Sequence, residues 1–148
     1  MPAQSTLIPR QQLIDAAKAS LVGYNDKDWD AVRRSLDPNC IYDEVSTNRK
    51  VQGVDQVIAL WQGWAAAFPD SRATFERELA SDNVVVLEVT WRGTHTGPLP
   101  TARGTIPASG NRIEIRACMV AELANDKPRL ERHYFDMTTL LQQIGVDG

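Results

Sequence analysis

The sequence predicts an α+β fold: a curved, mostly antiparallel sheet wrapped around helices that precede it, with an apolar pocket between the two. Apolar residues recur at spacings of three and four as far as Phe68, and from Ser71 the period drops to two, so helices give way to strands. The later strands are long and separated by turn-forming clusters, which suits a meander packed on one side by helices. A strongly twisted sheet of that length curls, and its concave side leaves room for a ligand.

The first helix starts near Pro9, a residue suited to a first helical turn, and runs to Tyr24 or Asn25. Leu13, Ala17, Leu21 and Tyr24 form one stripe, so Tyr24 faces inward. Asp28 caps a short second helix carrying Trp29, Val32 and Leu36, which stops before Asp37-Pro38; Trp29 reads as core. Residues 40–45 read as a short strand. Gly53 then opens a third helix with Val54, Val57, Ile58, Trp61, Ala65 and Phe68 on one face, and Pro69 ends it. Trp64 falls beside that face, where it reads as core, or else flanks the pocket or a subunit contact.

Beyond Ser71, Ala73, Phe75, Arg77 and Leu79 alternate with their neighbours. Residues 83–95, 111–123 and 129–135 are β-branched or aromatic strands, and Glu88 and Arg116 are expected to pair across the sheet. Residues 138–144 form a last helix closed by Gly145. No repeat or linker divides the chain, so residues 1–148 read as one domain.

The formal charge of −3 and the scattered Lys and Arg residues argue against nucleic acid as a partner. With 43% hydrophobic and 24% charged residues, the chain has the composition of a globular protein. No apolar run approaches the roughly 20 residues of a membrane helix, and residues 1–5 lack a basic stretch followed by an apolar one, so the expected location is the cytoplasm, away from membranes. Cys40 and Cys118 lack metal-ligand spacing and read as two buried thiols. Neither a metal-binding nor a nucleotide-binding motif is present, and no cofactor is expected.

The last strand carries the leading candidate. Arg132, Tyr134 and Asp136 share one face, and Glu131, His133 and Phe135 share the other. Asp136 stands at the strand end before an apolar helix, where it either projects into the pocket as a general acid or base or caps the helix. An apolar setting would raise its pKa toward neutrality. His133, on the opposite face, reads as a surface or dimer-contact residue. Tyr42 and Glu44 point the same way from the short strand and could hold a polar group, or the strand could lie at an edge with its carboxylates in water. His95 either touches a ligand or closes its loop with a backbone hydrogen bond.

Three segments together resemble the SnoaL-like polyketide cyclases of the nuclear transport factor two-like superfamily: residues 65–70 (AAAFPD), 91–97 (WRGTHTG), and 134–145 with Tyr134-Phe135-Asp136 and Leu140-Leu141-Gln142-Gln143-Ile144-Gly145. The resemblance runs in order from Tyr24 to Gly145. It implies a cone-shaped fold and a homodimer. It also implies aldol-type ring closure of a polyketide-like polycarbonyl ester without metal or cofactor, with Asp136 moving the proton. Tyr24 would orient this apolar small-molecule substrate, and Tyr42, Glu44, Trp61, His95 and Tyr134 would line its site. The ending is also similar to limonene-epoxide hydrolases, whose water-holding Tyr and Asn would fall on Tyr42 and Glu44. Where those enzymes carry an Arg-x-Asp pair, this chain has Val89-Thr90-Trp91. Epoxide opening by Glu44 and Asp136, and a non-catalytic member that binds an apolar ligand, are the alternative readings.

Overall fold

The structure, a computed structural model, describes residues 8–146. The residues 1–5 considered above for a leader lie outside the described residues. Helix α1 (Arg10–Asn25) and the short α2 (Trp29–Ser35) come first, followed by β1 (Ile41–Glu44), a single 3-10 turn (Val45–Thr47), β2 (Arg49–Gln52) and α3 (Val54–Ala67). Strands β3 (Arg72–Ser81), β4 (Val84–Thr94), β5 (Leu99–Thr101), β6 (Gly104–Ile106), β7 (Arg112–Ala124) and β8 (Lys127–Phe135) follow, and α4 (Met137–Gln143) ends the described chain. The elements agree with the pattern of the sequence except for β2 and the small β5–β6 hairpin, which are three or four residues each and too short to show a period.

Six strands form one sheet in the order β2-β1-β8-β7-β4-β3, antiparallel throughout except where β1 runs parallel to β8. The parallel pair sets Tyr42 beside Glu131 and Glu44 beside His133. Helix α1 lies across β3, β4, β7 and β8, and α3 covers β1, β2 and β5. Leu13, Ala17, Leu21 and Tyr24 are buried as their stripe predicts, against Val85, Leu87, Val89, Met119 and Ala121 of the sheet. A second cluster, Phe68, Leu99, Ile113, Ile115, Leu140 and Ile144, fastens α4 and the β5–β6 hairpin to the end of the sheet.

The structure corrects three expectations. A bulge between Phe75 and Arg77 inserts a residue into β3 and reverses the faces beyond it. Leu79 therefore turns outward, while Glu78 meets Lys18 of α1 at 3.0 Å. Glu88 stands opposite Arg77 and Cys118, and Arg116 opposite Thr90, so the predicted Glu88–Arg116 pair is out of register. Of the two free cysteines only Cys40 is fully buried; Cys118 is half-buried.

The loop after β4 is held against α3 by amides of Thr96 and Gly97, which both donate to the Ala67 carbonyl at 3.2 and 3.1 Å. A Cβ on Gly97 would stand 2.0 Å from the Ala66 carbonyl oxygen, so no other residue fits without moving one backbone from another. Gly97→Ala is expected to lose about 2 kcal/mol, measured by denaturant unfolding, as other overpacked sites do.

Candidate functional site

Between the helices and the concave face lies a cavity of about 600 Å³, counting the open space at its mouth. Its wall is apolar for the most part: Leu21 from α1, Trp61 and Trp64 from α3, Phe68, Trp91 from β4, Ile113, Ile115 and Met119 from β7, Phe135 from β8 and Leu140 from α4. Five polar side chains interrupt it, namely Tyr24, Tyr42, Glu44, Ser71 and His133. A concave apolar space carrying a few converging polar groups is the ordinary form of a ligand site.

The polar groups at one end form a connected chain. Trp91 Nε1–H can only donate, and it points at His133 Nε2 at 3.2 Å, so that nitrogen must present its lone pair. The proton of the neutral ring is then on Nδ1, which donates to Tyr42 Oη at 2.7 Å. The Tyr42 hydroxyl in turn donates to Glu44 Oε2 at 3.3 Å. Glu44 is completely buried, yet donors surround it: Trp64 Nε1 on Oε2 at 2.8 Å, and Arg49 Nη2 at 2.7 Å, Arg49 Nε at 3.1 Å and Thr47 Oγ1 at 2.5 Å on Oε1. Every contact to it comes from a donor, as an ionised carboxylate requires when buried. Burial draws the His133 pKa down to about 4, with the Glu44 charge acting the other way. Burial first, then the charges of Glu44 and Glu131, push Tyr42 well above its usual range.

At another part of the wall Tyr24 Oη and Ser71 Oγ share a hydrogen bond at 2.6 Å. The Tyr24 ring stands edge-on to Trp61 and Trp91, with centroids 6.1 and 5.2 Å away, and burial pushes its hydroxyl up to about 12. Tyr24, Tyr42, Glu44 and Trp61 are thus where the sequence placed them. Trp64 also joins the wall.

Three expected site residues fall elsewhere. Asp136 is exposed and caps α4: Oδ1 accepts from the amides of Thr138 and Thr139 at 3.0 and 3.3 Å, and Oδ2 from the Thr139 hydroxyl at 2.8 Å. The Thr139 hydroxyl and amide, followed by the Thr138 amide, hold its carboxyl below the usual range, the reverse of the rise expected in an apolar pocket. Tyr134 shares its outward face and is 43% exposed. His95 is buried away from the cavity wall; its Nδ1 accepts from the Ser109 amide at 3.1 Å, and its backbone bonds Asn111 and Gly110, so it closes the loop. His133 moves the other way, from an expected surface position to the centre of the site. Asp136→Ala should lower the melting temperature by about 3 °C through loss of the cap, and leave ligand binding in the cavity unchanged by titration.

Glu131 also lies on the inner face of β8 and is buried with a single partner, the Ser20 hydroxyl at 3.1 Å on Oε2; Oε1 has none. Burial pushes its carboxyl up to about 7, against the pull of Ser20. It stands outside the cavity wall, beside Tyr42. Among the described residues no group of three or more His, Cys, Asp or Glu side chains is gathered for a metal, and no helix is long and apolar enough to cross a membrane.

No curated protein matches the chain. Among solved structures, a protein from Jannaschia sp. CCS1 assigned as a SnoaL-like polyketide cyclase superposes with a TM-score of 0.82 at 20% identity, covering 96% of this chain and 98% of its own. IdmH from Streptomyces antibioticus, assigned as a polyketide cyclase, gives 0.78 at 20% identity over 91% and 99%. An epoxide hydrolase of M. tuberculosis described as LEH-like gives 0.69 at 20% identity over 90% of each. These likenesses establish the cone fold. The sequence profile of one family covers residues 14–144, nearly the whole described chain, and on that match the chain belongs to the SnoaL-like polyketide cyclases.

Proposed function

We propose that the chain is a cofactor-free cyclase that closes a ring in a polycarbonyl, polyketide-like ester by an aldol-type step, with His133 as the group that carries the proton. The observation behind this reading is the chain Trp91–His133–Tyr42–Glu44 at one end of an otherwise apolar cavity. A histidine oriented through one nitrogen, with a carboxylate at the far end of the link, is the arrangement that lets an imidazole accept a proton and bear the resulting charge.

The step balances within the substrate and this group. Nε2 takes the proton from a carbon lying between two carbonyls, and the enolate carbon attacks a further carbonyl of the same molecule. One C–C bond forms, one C=O π bond breaks, and the new alkoxide takes the proton back from Nε2. The bond from Trp91 at 3.2 Å is at the long end of the normal range, so a substrate can displace it, which frees that N–H to meet the enolate oxygen. The apolar wall holds a flexible chain folded, which removes much of the entropy barrier to closure.

Epoxide opening by Glu44 and Asp136 together loses its support, because Asp136 points to solvent outside the cavity. The test is turnover: a linear tricarbonyl ester incubated with the chain should yield a ring-closed product, followed by absorbance and mass. Equal rates for the native chain and His133→Asn would sink the assignment.

A further inference from the structure

Glu44 ends the Trp91–His133–Tyr42 link as a fully buried carboxylate, and five side chains face it from the elements around it. Tyr42 reaches it from its own strand, Thr47 from the 3-10 turn, Arg49 from β2 and Trp64 from α3, while His133 stands beside it on β8. Among these only Arg49 brings a full positive charge, because burial draws the His133 pKa down to about 4 and leaves that ring neutral near pH 7. A carboxylate buried with hydrogen bonds but no cation is far costlier than a paired one.

The hairpin between β1 and β2 makes the pairing local. The 3-10 turn and the left-handed Asn48, at φ 57°, return the chain so that Arg49 stands directly opposite Glu44. The Arg49 side chain is 48% exposed, lies on an edge strand and is not part of the cavity wall. Its guanidinium also stands 5.8 Å from the centre of the Trp64 ring, whose N–H holds the other oxygen of Glu44. An ionised carboxylate can only accept, so the Tyr42 hydroxyl must donate to it and is left to accept from His133 Nδ1–H. We infer that Arg49 is the positioning residue of this link: by holding Glu44 ionised it sets the direction of the hydrogen bonds from His133 to Glu44, and so prepares His133 to accept a proton. This role rests on the link carrying the proton, as the proposed function holds, but the charge it assigns to Glu44 can be measured without a substrate.

Without Arg49, Glu44 escapes the cost of an unpaired buried charge by holding a proton in the folded state. It could then donate to Tyr42, and the direction of the link would no longer be fixed. Three variants test this. Arg49→Met keeps an apolar stem over Trp64, Arg49→Lys restores the charge, and Arg49→Met combined with Glu44→Gln removes both partners. A proton held by the folded variant and released by its unfolded chain gives stability that is present at low pH and lost as pH rises. In urea unfolding, the unfolding constant of Arg49→Met relative to the native chain should therefore be about 30-fold greater at pH 8 than at pH 5, short of a fully buried pair because Arg49 is half exposed. Arg49→Lys should show little of this growth. The double variant should be more stable than Arg49→Met at pH 8, which gives a reading even if the single variant is too unstable to purify there. A loss that is the same at pH 5 and pH 8, or a double variant no more stable than the single one at pH 8, would overturn the inference. In turnover, Arg49→Met should lower kcat at least ~10-fold at pH 7, part of what a positioned proton carrier contributes, with KM little changed. The rate should recover as pH rises and Glu44 ionises, and Arg49→Lys should keep most of the native kcat. A native kcat in Arg49→Met would also overturn the role. If the native chain closes no ring, the cyclase reading falls and urea unfolding alone decides the charge that Arg49 sets. Native turnover beside a loss that does not vary with pH keeps the cyclase reading and removes Arg49 from it.

Discussion

His133→Asn should slow ring closure at least ~100-fold while leaving a folded protein, since removing a positioned proton carrier commonly costs two to four orders of magnitude. The pH profile separates a catalytic role from a structural one. Burial holds the His133 pKa at about 4, so the neutral ring that accepts the proton is present at every pH above that. The native rate should stay level from pH 8 down to about 5 and then fall tenfold per unit below about pH 4, where an unperturbed histidine would already fall below about 6.5. Tyr42→Phe cuts the link to Glu44 and leaves Nδ1–H without its acceptor, so it should reduce the rate and move the acid limb lower still. Rates measured between pH 3.5 and 8, with folding followed by circular dichroism in each buffer, check both. An acid limb near 6.5 would mean that some other, solvated group does the work.

Glu131→Gln should make the protein more stable at pH 8 by roughly 3 kcal/mol, with little change at pH 4. The Glu131 carboxyl has a raised pKa of about 7 in the folded state against 4.5 in the free side chain. The folded protein therefore binds the extra proton between those values, and the stability that comes with it is complete below 4.5 and lost as pH rises through 7. His133 has the opposite sign: its pKa falls from 6.5 to about 4, so its contribution is complete above 6.5 and lost as pH falls toward 4. Across pH 4.5 to 6.5 the two slopes nearly cancel in the native chain. Glutamine at 131 keeps the shape of the neutral acid and can still accept from Ser20, and it exposes the slope of His133 alone. Urea unfolding at half-unit steps of pH should show a variant whose stability climbs between pH 4 and 6.5 and then holds. A variant with the same pH profile as the native chain would mean that the native Glu131 carboxyl is not protonated at neutral pH.

The residues on helices were the legible part of the site. Tyr24 and Trp61 follow from helical stripes, whose inward faces are broad and marked by several apolar neighbours, and Tyr42 and Glu44 follow from the parity of a four-residue strand. The last strand misleads because its hydrophobicity points the wrong way. Leu130 and Tyr134 make the face of Asp136 look apolar, yet that face is the outer one, and the inner face carries Glu131 and His133. A register shift between Glu122 and Leu123 leaves the burial of Pro128 out of step with simple alternation, and no residue pattern announces it. The signal available was Phe135, a large apolar residue in phase with His133. The capping role of Asp136 was equally visible in the two threonines after it. The resemblance identified the family correctly and could not say which side of β8 faced the cavity.

The parallel seam between β1 and β8 fixes when the site comes into being. Tyr42 and His133 are 91 residues apart along the chain; β2 pairs with Tyr42 on one side, and β8 alone joins the β1–β2 pair to the rest of the sheet. The hydrogen-bonded link to His133 therefore cannot form until the last strand has docked. Contacts between such distant segments are costly to close and are made late. The apolar wall can take shape gradually as α1 settles on β3, β4 and β7, but the Trp91–His133–Tyr42–Glu44 link is gained in one event, when β8 reaches the sheet.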